Sequence, residues 1–118
     1  MVFDRGGRLP EDSQLARSAG QHPLLVTGAS PAEALADLAE RGVTSLLLEG
    51  GPTLAASFLA EGLIDRIALF VAPLVLGDGP GLFAGWAAAG LDTAPRAVHL
   101  EARPVGPDIL LVAELREV

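Results

Sequence analysis

Residues 48–54 of the chain read Leu-Glu-Gly-Gly-Pro-Thr-Leu, an apolar run that ends in two glycines and leads into a helix start. The first backbone N–H groups of a helix have no intrahelical partner, and the helix dipole is positive at that end. Glycines let a phosphate approach the backbone closely, and Thr53 adds a hydroxyl donor. The run therefore predicts an anion site at the carboxyl end of a strand, with Glu49 at its mouth as an acceptor. The same residues also suit a plain tight turn, the commoner use of short glycine motifs, with Glu49 as a solvated loop acid.

Apolar runs and helical patterns alternate on both sides of this turn. Continuous apolar runs are typical of strands buried on both faces, whereas alternation of apolar and polar residues indicates a strand with one wet face. Ser30 as cap, with Pro31 and Glu33 after it, predicts a helix start, and Gly42 is placed to end that helix. The order β-β-α-β-α-β-β-β predicts an α/β sheet that turns antiparallel at its end. The strands are predicted at 2–4, 24–26, 45–48, 67–72, 98–103 and 108–115, and the second helix at 52–61.

Other stretches carry weaker patterns. Residues 5–21 are rich in Gly, Arg, Ser and acidic residues without an apolar period, which predicts a polar loop. Residues 86–90 suit either a short helix or a loop. Three phenylalanines are interpreted as core residues, namely Phe58, Phe70 and Phe83.

The composition limits the function classes. The chain has 118 residues, 50% of them hydrophobic, which suits one domain over 1–118 with its own core and excludes intrinsic disorder. The net charge is −7 and all 8 basic residues are arginine, without a basic cluster, so nucleic acid and membranes are not expected as partners. We recognise neither a spanning segment nor a signal peptide. The absence of cysteine removes thiol chemistry and zinc ribbons, and a cytoplasmic location is expected.

The other candidate ligand sites can also be explained by ordinary structural roles. Residues 26–30 suit a helix cap better than a dinucleotide turn, because the further glycines of that motif are absent. His22, placed in a loop, and His99 lack a third clustered ligand, so no metal site is expected. Asp4 and Arg5 end the first strand, either as a surface ion pair or as part of a ligand rim, and the sequence leaves this open.

The longer string resembles one family. Segments 45–55, 58–65, 69–73 and 76–77 are similar to the reductase domain of riboflavin biosynthesis, the C-terminal half of the bifunctional pyrimidine deaminase/reductase. The resemblance runs over nearly the whole chain and is most specific across 45–77. It implies a dihydrofolate-reductase-like mixed sheet with antiparallel C-terminal strands.

The resemblance also implies an activity. The family reduces 5-amino-6-(5-phosphoribosylamino)uracil to its ribitylamino product with a hydride from NADPH. Glu49 matches the acidic residue that contacts this pyrimidine ribotide. Arg5 replaces the serine that the family usually keeps near the cofactor, and a guanidinium there can meet a phosphate. No catalytic acid is assigned. The residues implied for the cofactor are Gly50, Gly51, Pro52, Thr53, Leu54, Ala55, Ala56, Ser57 and Arg5.

The resemblance further implies that this chain lacks part of the family domain. The family domain begins with two strands that have no counterpart here, and its first strand lies between those matching 45–48 and 67–72. Uncovered apolar strand edges can close on each other, swap between protomers or aggregate, and a homo-oligomer, a dimer, is expected. Three hypotheses follow: a reductase or its C-terminal part, a degenerate member that binds a nucleotide without turnover, and a dimerisation piece built on the C-terminal strands.

Overall fold

The fold is described by a computed structural model that covers residues 1–21 and 23–117. His22, which the sequence places in a loop, lies outside the described residues. The chain divides into two compact units, Met1–Leu46 and Leu47–Val118. The sequence predicted a single, partial domain over 1–118, and this stays a prediction. None of the helices in the described ranges is long and apolar enough to cross a membrane.

The N-terminal unit contains a small parallel sheet. Strand β1 (Val2–Phe3) pairs with strand β2 (Val26–Thr27), and Val2 lies opposite Val26. Both strands are shorter than predicted. The expectation that residues 24–26 are buried on both faces is wrong, because Val26 is 51% exposed. A strand in a two-stranded sheet has a hydrogen-bonded neighbour on one side only, which leaves more of its surface open.

The predicted polar loop at 5–21 contains helical structure. Helix α1 (Gln14–Arg17) is followed by a 3-10 turn at Ser18–Gly20. The Ser13 hydroxyl accepts a hydrogen bond from the Ala16 N–H at 3.1 Å and so caps α1. This correction has a simple cause. A one-turn helix held by a local cap needs no apolar period, so periodicity does not reveal it.

Helix α2 (Pro31–Glu40) confirms the predicted start and end. The Ser30 side chain accepts from the Glu33 N–H, and the Glu33 carboxylate accepts from the Ser30 N–H at 2.9 Å. Gly42 ends the helix with φ +80°, a conformation that residues with a Cβ seldom adopt. Ala34 and Leu38 are buried, so this side of the helix is its apolar, packed side.

The C-terminal unit is built from helix α3 (Pro52–Ala60) and a three-stranded antiparallel sheet. The sheet order is β3 (Arg66–Val71), β5 (Asp108–Glu114), β4 (His99–Val105), so β5 is central. The predicted strands at 98–103 and 108–115 form an antiparallel hairpin, in which β4 runs on to Val105 and the turn is two residues long. Among the residues of this unit that the structure describes, the buried hydrophobic side chains are Ala56, Phe58, Leu59 and Leu110.

Three expectations for this part of the chain are wrong, and each concerns burial or pairing. Residues 45–48 form no strand, and Leu47 is 77% exposed. A strand needs a hydrogen-bonded neighbour, and no described strand pairs with this segment. Phe70 is 59% exposed rather than core, and every residue of β4 is exposed rather than one face only. Residues 86–90 form a loop, one of the two options left open.

Candidate functional site

The N-terminus of α3 follows directly on the glycine pair. Gly51 is the cap residue, with extended backbone at φ −69° and ψ 171°, and no side chain caps this helix end. Pro52 has no N–H, so the first amide donors are those of Thr53 and Leu54, which lack carbonyl partners by helix geometry. The Ala55 N–H is already engaged, since it donates to the Gly51 carbonyl at 3.1 Å. The N–H groups of Thr53 and Leu54 and the positive end of the helix dipole are therefore available to a ligand at the start of α3.

The two glycines have different roles. A Cβ on Gly50 would lie 2.6 Å from Leu54 Cδ2, so Gly50 leaves room for the Leu54 side chain. A Cβ on Gly51 would meet no atom within 4 Å. The space at Gly51 is thus open, next to unpaired helix donors, and the donor set suits a phosphate oxygen.

The residues of the predicted cofactor segment differ in how accessible they are to a ligand. Thr53 is exposed at the helix end, whereas Ala56 is buried at 6% exposure. The Ser57 hydroxyl donates to the Leu54 carbonyl at 2.7 Å, so its proton is already used within the helix. Thr53 is therefore the segment's available hydroxyl donor, and Ala56 shapes the helix side rather than the helix end.

A groove runs along one side of α3. Its volume is about 300 Å³. The Ala84 N–H donates to the Pro52 carbonyl at 3.2 Å and ties the loop that forms its far wall to the helix start. The Phe83 and Trp86 rings pack edge to face, with centroids 6.4 Å apart. The lining residues are Thr53, Ala56, Ser57, Ala60, Ala84, Gly85 and Trp86.

Trp86 is the residue that sequence reasoning missed. It is the single tryptophan of the chain and is half-buried in the groove. No spacing rule links it to α3, because it follows the end of that helix by more than 25 residues. The available signal was compositional, an amphipathic aromatic side chain in a glycine-rich loop.

Glu49 and Arg5 are both exposed. Glu49 lies two residues before the α3 cap, in the same unit as the glycine pair. Arg5 lies in the N-terminal unit, in the turn that follows β1. Its neighbour Asp4 accepts hydrogen bonds from the N–H groups of Arg8 at 2.8 Å and Leu9 at 2.7 Å. These backbone donors lower the pKa of Asp4 and fix its carboxylate in the loop.

Among residues 1–21 and 23–117, no three or more His, Cys, Asp or Glu side chains are grouped closely enough to hold a metal ion.

Comparison with known proteins gives consistent matches. The family model described as RibD C-terminal domain matches residues 1–111. The riboflavin biosynthesis protein RibD of Mycobacterium tuberculosis (strain CDC 1551 / Oshkosh) is 39% identical over 88 residues, which are 75% of this chain and 25% of that protein. The protein of strain H37Rv matches equally. This chain thus spans about a quarter of the length of these curated relatives.

Solved structures agree in fold. Acinetobacter baumannii RibD in form 1 aligns with a TM-score of 0.77 at 26% identity, and form 2 with 0.76 at 24% identity. Each alignment covers 96% of this chain and 36% of the other. The mixed α/β fold therefore matches RibD structures, and the resemblance read from residues 45–77 is confirmed. The chain belongs to the RibD C-terminal domain family.

Proposed function

We propose that this chain acts in riboflavin biosynthesis as an NADPH-dependent reductase domain that converts 5-amino-6-(5-phosphoribosylamino)uracil to its ribitylamino product. Family membership supports the reaction class. Within this chain, the proposal rests on one observation. The N-terminus of α3 has no side-chain cap, and the space around the Cβ position of its cap residue, Gly51, is open. An anion held there gains both hydrogen bonds and the helix dipole.

The residues present fit a dinucleotide phosphate. The N–H groups of Thr53 and Leu54 and the Thr53 hydroxyl donate to phosphate oxygens, and Gly51 allows the close approach. The chain has no lysine, so added positive charge comes from arginine, and Arg5, which stands where the resembled family usually has a serine, stays a proposed cofactor contact. Pro52, Ala55, Ala56 and Ser57 shape and hold the helix, and Gly50 accommodates Leu54.

Glu49 is proposed as the substrate contact. A carboxylate accepts hydrogen bonds from sugar hydroxyls and from base N–H groups. Glu49 precedes the helix cap by two residues, and this closeness in sequence to the proposed phosphate site supports the role. Bound NADPH supplies the hydride. The protein's own task is to hold the two reactants in line and to keep water out, which demands little acid–base chemistry.

The proposal includes a dihydrofolate-reductase-like sheet without the family's first two strands. Two features support it. Leu46 and Leu47 are 42% and 77% exposed in a segment without a strand partner, and β3 has one described neighbour, β5. Apolar segments of this kind are typical of strands that lack their neighbour.

The expected cytoplasmic location also stays a prediction.

The test is NADPH binding and consumption with the pyrimidine ribotide, in the parent chain and in Gly51→Val. The valine side chain fills the space where the phosphate lies, so binding should weaken by about tenfold or more, the loss of roughly one charge-assisted hydrogen bond. Gly79→Val is the matched control, because a Cβ there also meets no atom within 4 Å but lies far along the chain from α3.

The outcomes distinguish a phosphate site from nucleotide binding without turnover and from a folding effect. Unchanged affinity of Gly51→Val would refute the phosphate site. Clear NADPH binding without ribotide-dependent consumption would favour the alternative, a degenerate member that binds a nucleotide without turnover. Equal loss of binding in both valine variants would point to a general effect on folding and would also contradict the assignment.

A further inference from the structure

The loop that follows β3 contains an aspartate directly before a glycine. Residues 77–81 read Gly-Asp-Gly-Pro-Gly, and of all the aspartates in the sequence Asp78 alone precedes a glycine. Every residue at 72–82 is exposed, and none of them belongs to a helix or a strand. The Asp78–Gly79 peptide bond therefore lies in open, irregular backbone, where side chain and main chain can react with each other.

The Asp78 carboxyl group lies against the next backbone nitrogen. The Gly79 N–H donates to Asp78 Oδ1 at 2.9 Å. Since that oxygen is about 1.2 Å from Cγ, the Gly79 nitrogen lies within roughly 4 Å of Asp78 Cγ. Reacting atoms in a near-attack conformer are about 3–3.5 Å apart, so a small torsional change of Asp78 brings the two atoms to bonding approach. Closure would give a five-membered imide ring made of the Gly79 nitrogen and the Asp78 carbons Cα, Cβ, Cγ and C.

The surroundings of this peptide bond do not resist ring closure. A Cβ on Gly79 would meet no atom within 4 Å, so nothing is packed against the attacking nitrogen. In the part of the chain that the structure describes, residues 75–83 form no backbone–backbone hydrogen bond, and no ion pair includes Asp78. Backbone without such hydrogen bonds opens at little cost, so the loop can adopt the torsions of the ring.

The other exposed aspartate in a long loop lacks this combination. Asp92 and Thr93 are both exposed, but the Thr93 N–H already donates to the Gly90 carbonyl at 3.3 Å. Thr93 is also β-branched, which restricts its torsions and crowds its own nitrogen. Exposure alone thus does not distinguish Asp78, whereas the free glycine nitrogen beside its carboxyl group does.

We propose that Asp78 is a site of spontaneous backbone modification in the folded protein, converting to isoaspartate through a cyclic imide. In the first step the Gly79 nitrogen bonds to Asp78 Cγ and a Cγ–O bond breaks. The released hydroxyl group and the Gly79 N–H proton leave as one water molecule. In the second step one water molecule opens the ring, so the two steps balance without an oxidant, a reductant or a cofactor.

The side of the ring that water attacks decides the product. Attack at Cγ restores aspartate. Attack at the main-chain carbonyl carbon of Asp78 breaks its bond to the Gly79 nitrogen, so the chain then runs through Cγ and carries a free α-carboxylate. This product lengthens the loop by one methylene group between fixed ends, because Val71 pairs with Ile109 and the Ala84 N–H donates to the Pro52 carbonyl. The modified chain should therefore keep its fold.

Incubation of the folded chain in H₂¹⁸O for weeks at about 37 °C tests the proposal. Peptide mass spectrometry should find isoaspartate at position 78 with one ¹⁸O atom, and an isoaspartyl methyltransferase with labelled S-adenosylmethionine counts the new α-carboxylate. The same chain unfolded in guanidinium chloride gives the reference rate. Because the fold leaves the loop unrestrained, the folded chain should react within about tenfold of that reference.

Two variants and one internal control identify the chemistry. Gly79→Val should slow the reaction by roughly tenfold or more, because its β-branched side chain crowds the attacking nitrogen. Valine suits this position, since Gly79 has no positive φ and precedes Pro80. Asp78→Glu should abolish the product, because its ring would need a sixth atom, and Asp92 should stay unmodified. Far-ultraviolet circular dichroism checks that each variant is folded.

Three results would overturn the proposal. One is a folded chain that reacts more than tenfold slower than the unfolded one, since the fold would then protect the loop. The others are an undiminished rate in folded Gly79→Val and isoaspartate at Asp92 in equal yield. NADPH binding plays no part in any of these readouts, so the modification holds or fails separately from the reductase proposal.

Discussion

Replacing Phe58 by alanine should remove a large part of the stability of the unit that carries the site. Phe58 is 2% exposed in the last turn of α3, among the most buried residues of the C-terminal unit. Truncation of a buried phenylalanine costs about 3–5 kcal/mol through lost burial and the cavity left behind. A domain of this length has a free energy of unfolding of about 6–18 kcal/mol, so the change removes a substantial fraction.

Phe70→Ala is the matched comparison. The substitution removes the same side-chain atoms, but Phe70 is 59% exposed, so only about two fifths of its surface leaves water on folding. At roughly 25 cal/mol per Å² the expected cost is about 1–2 kcal/mol. The difference between the two variants therefore reports burial rather than residue type.

Urea unfolding measures both variants. Trp86 is the single tryptophan and packs against Phe83 beside α3, so its fluorescence follows this unit. The midpoint should fall much further for Phe58→Ala than for Phe70→Ala at equal slope and equal protein concentration. A Phe58→Ala cost below about 1 kcal/mol, or a Phe70→Ala cost equal to it, would refute this account of the core.

Two further predictions concern local hydrogen bonds. Ser30→Ala removes one half of the capping box of α2 and should lower the free energy of unfolding by about 1 kcal/mol, measured by urea unfolding against the exposed-loop control Ser45→Ala, which should change it by less than about 0.5 kcal/mol. A Ser30→Ala cost no larger than that of the control would contradict the cap. The second prediction is a loss of stability in acid. Backbone N–H donors lower the pKa of Asp4 and of Glu33 below their ordinary values of 3.8 and 4.5. A carboxyl with a lowered folded pKa contributes its full stabilisation above its unfolded pKa and loses it as the pH falls through the folded pKa. Stability should thus be level near neutral pH and decline below about pH 4.5, less steeply in the double variant Asp4→Asn/Glu33→Gln. An identical decline in that variant would contradict the assignment.

Local signals made part of the fold predictable. Ser30, Pro31 and Glu33 specify the α2 start within four residues, and Gly42 specifies its end, so nothing distant is needed. The C-terminal hairpin follows equally from a short turn between two strand patterns. The position of the glycine pair before α3 was predictable for the same reason.

Features that depend on distant neighbours were not predictable. Residues 45–48 carry a strand pattern, but a strand forms only where a partner strand lies beside it. Phe70 is hydrophobic, but whether it is buried depends on what covers its face of the sheet. Trp86 joins the groove through a loop that hydrogen bonds to Pro52 more than 30 residues away, a contact that no periodic pattern encodes.

The most direct test of the account is a titration of the ¹⁵N-labelled chain with NADPH, followed by amide chemical shifts. Saturable shifts are expected at Gly51, Thr53 and Leu54, whose N–H groups lie at the open end of α3, and none at Ala34 within α2. An absence of shifts at the α3 N-terminus at millimolar NADPH, or shifts confined to other parts of the chain, would contradict it.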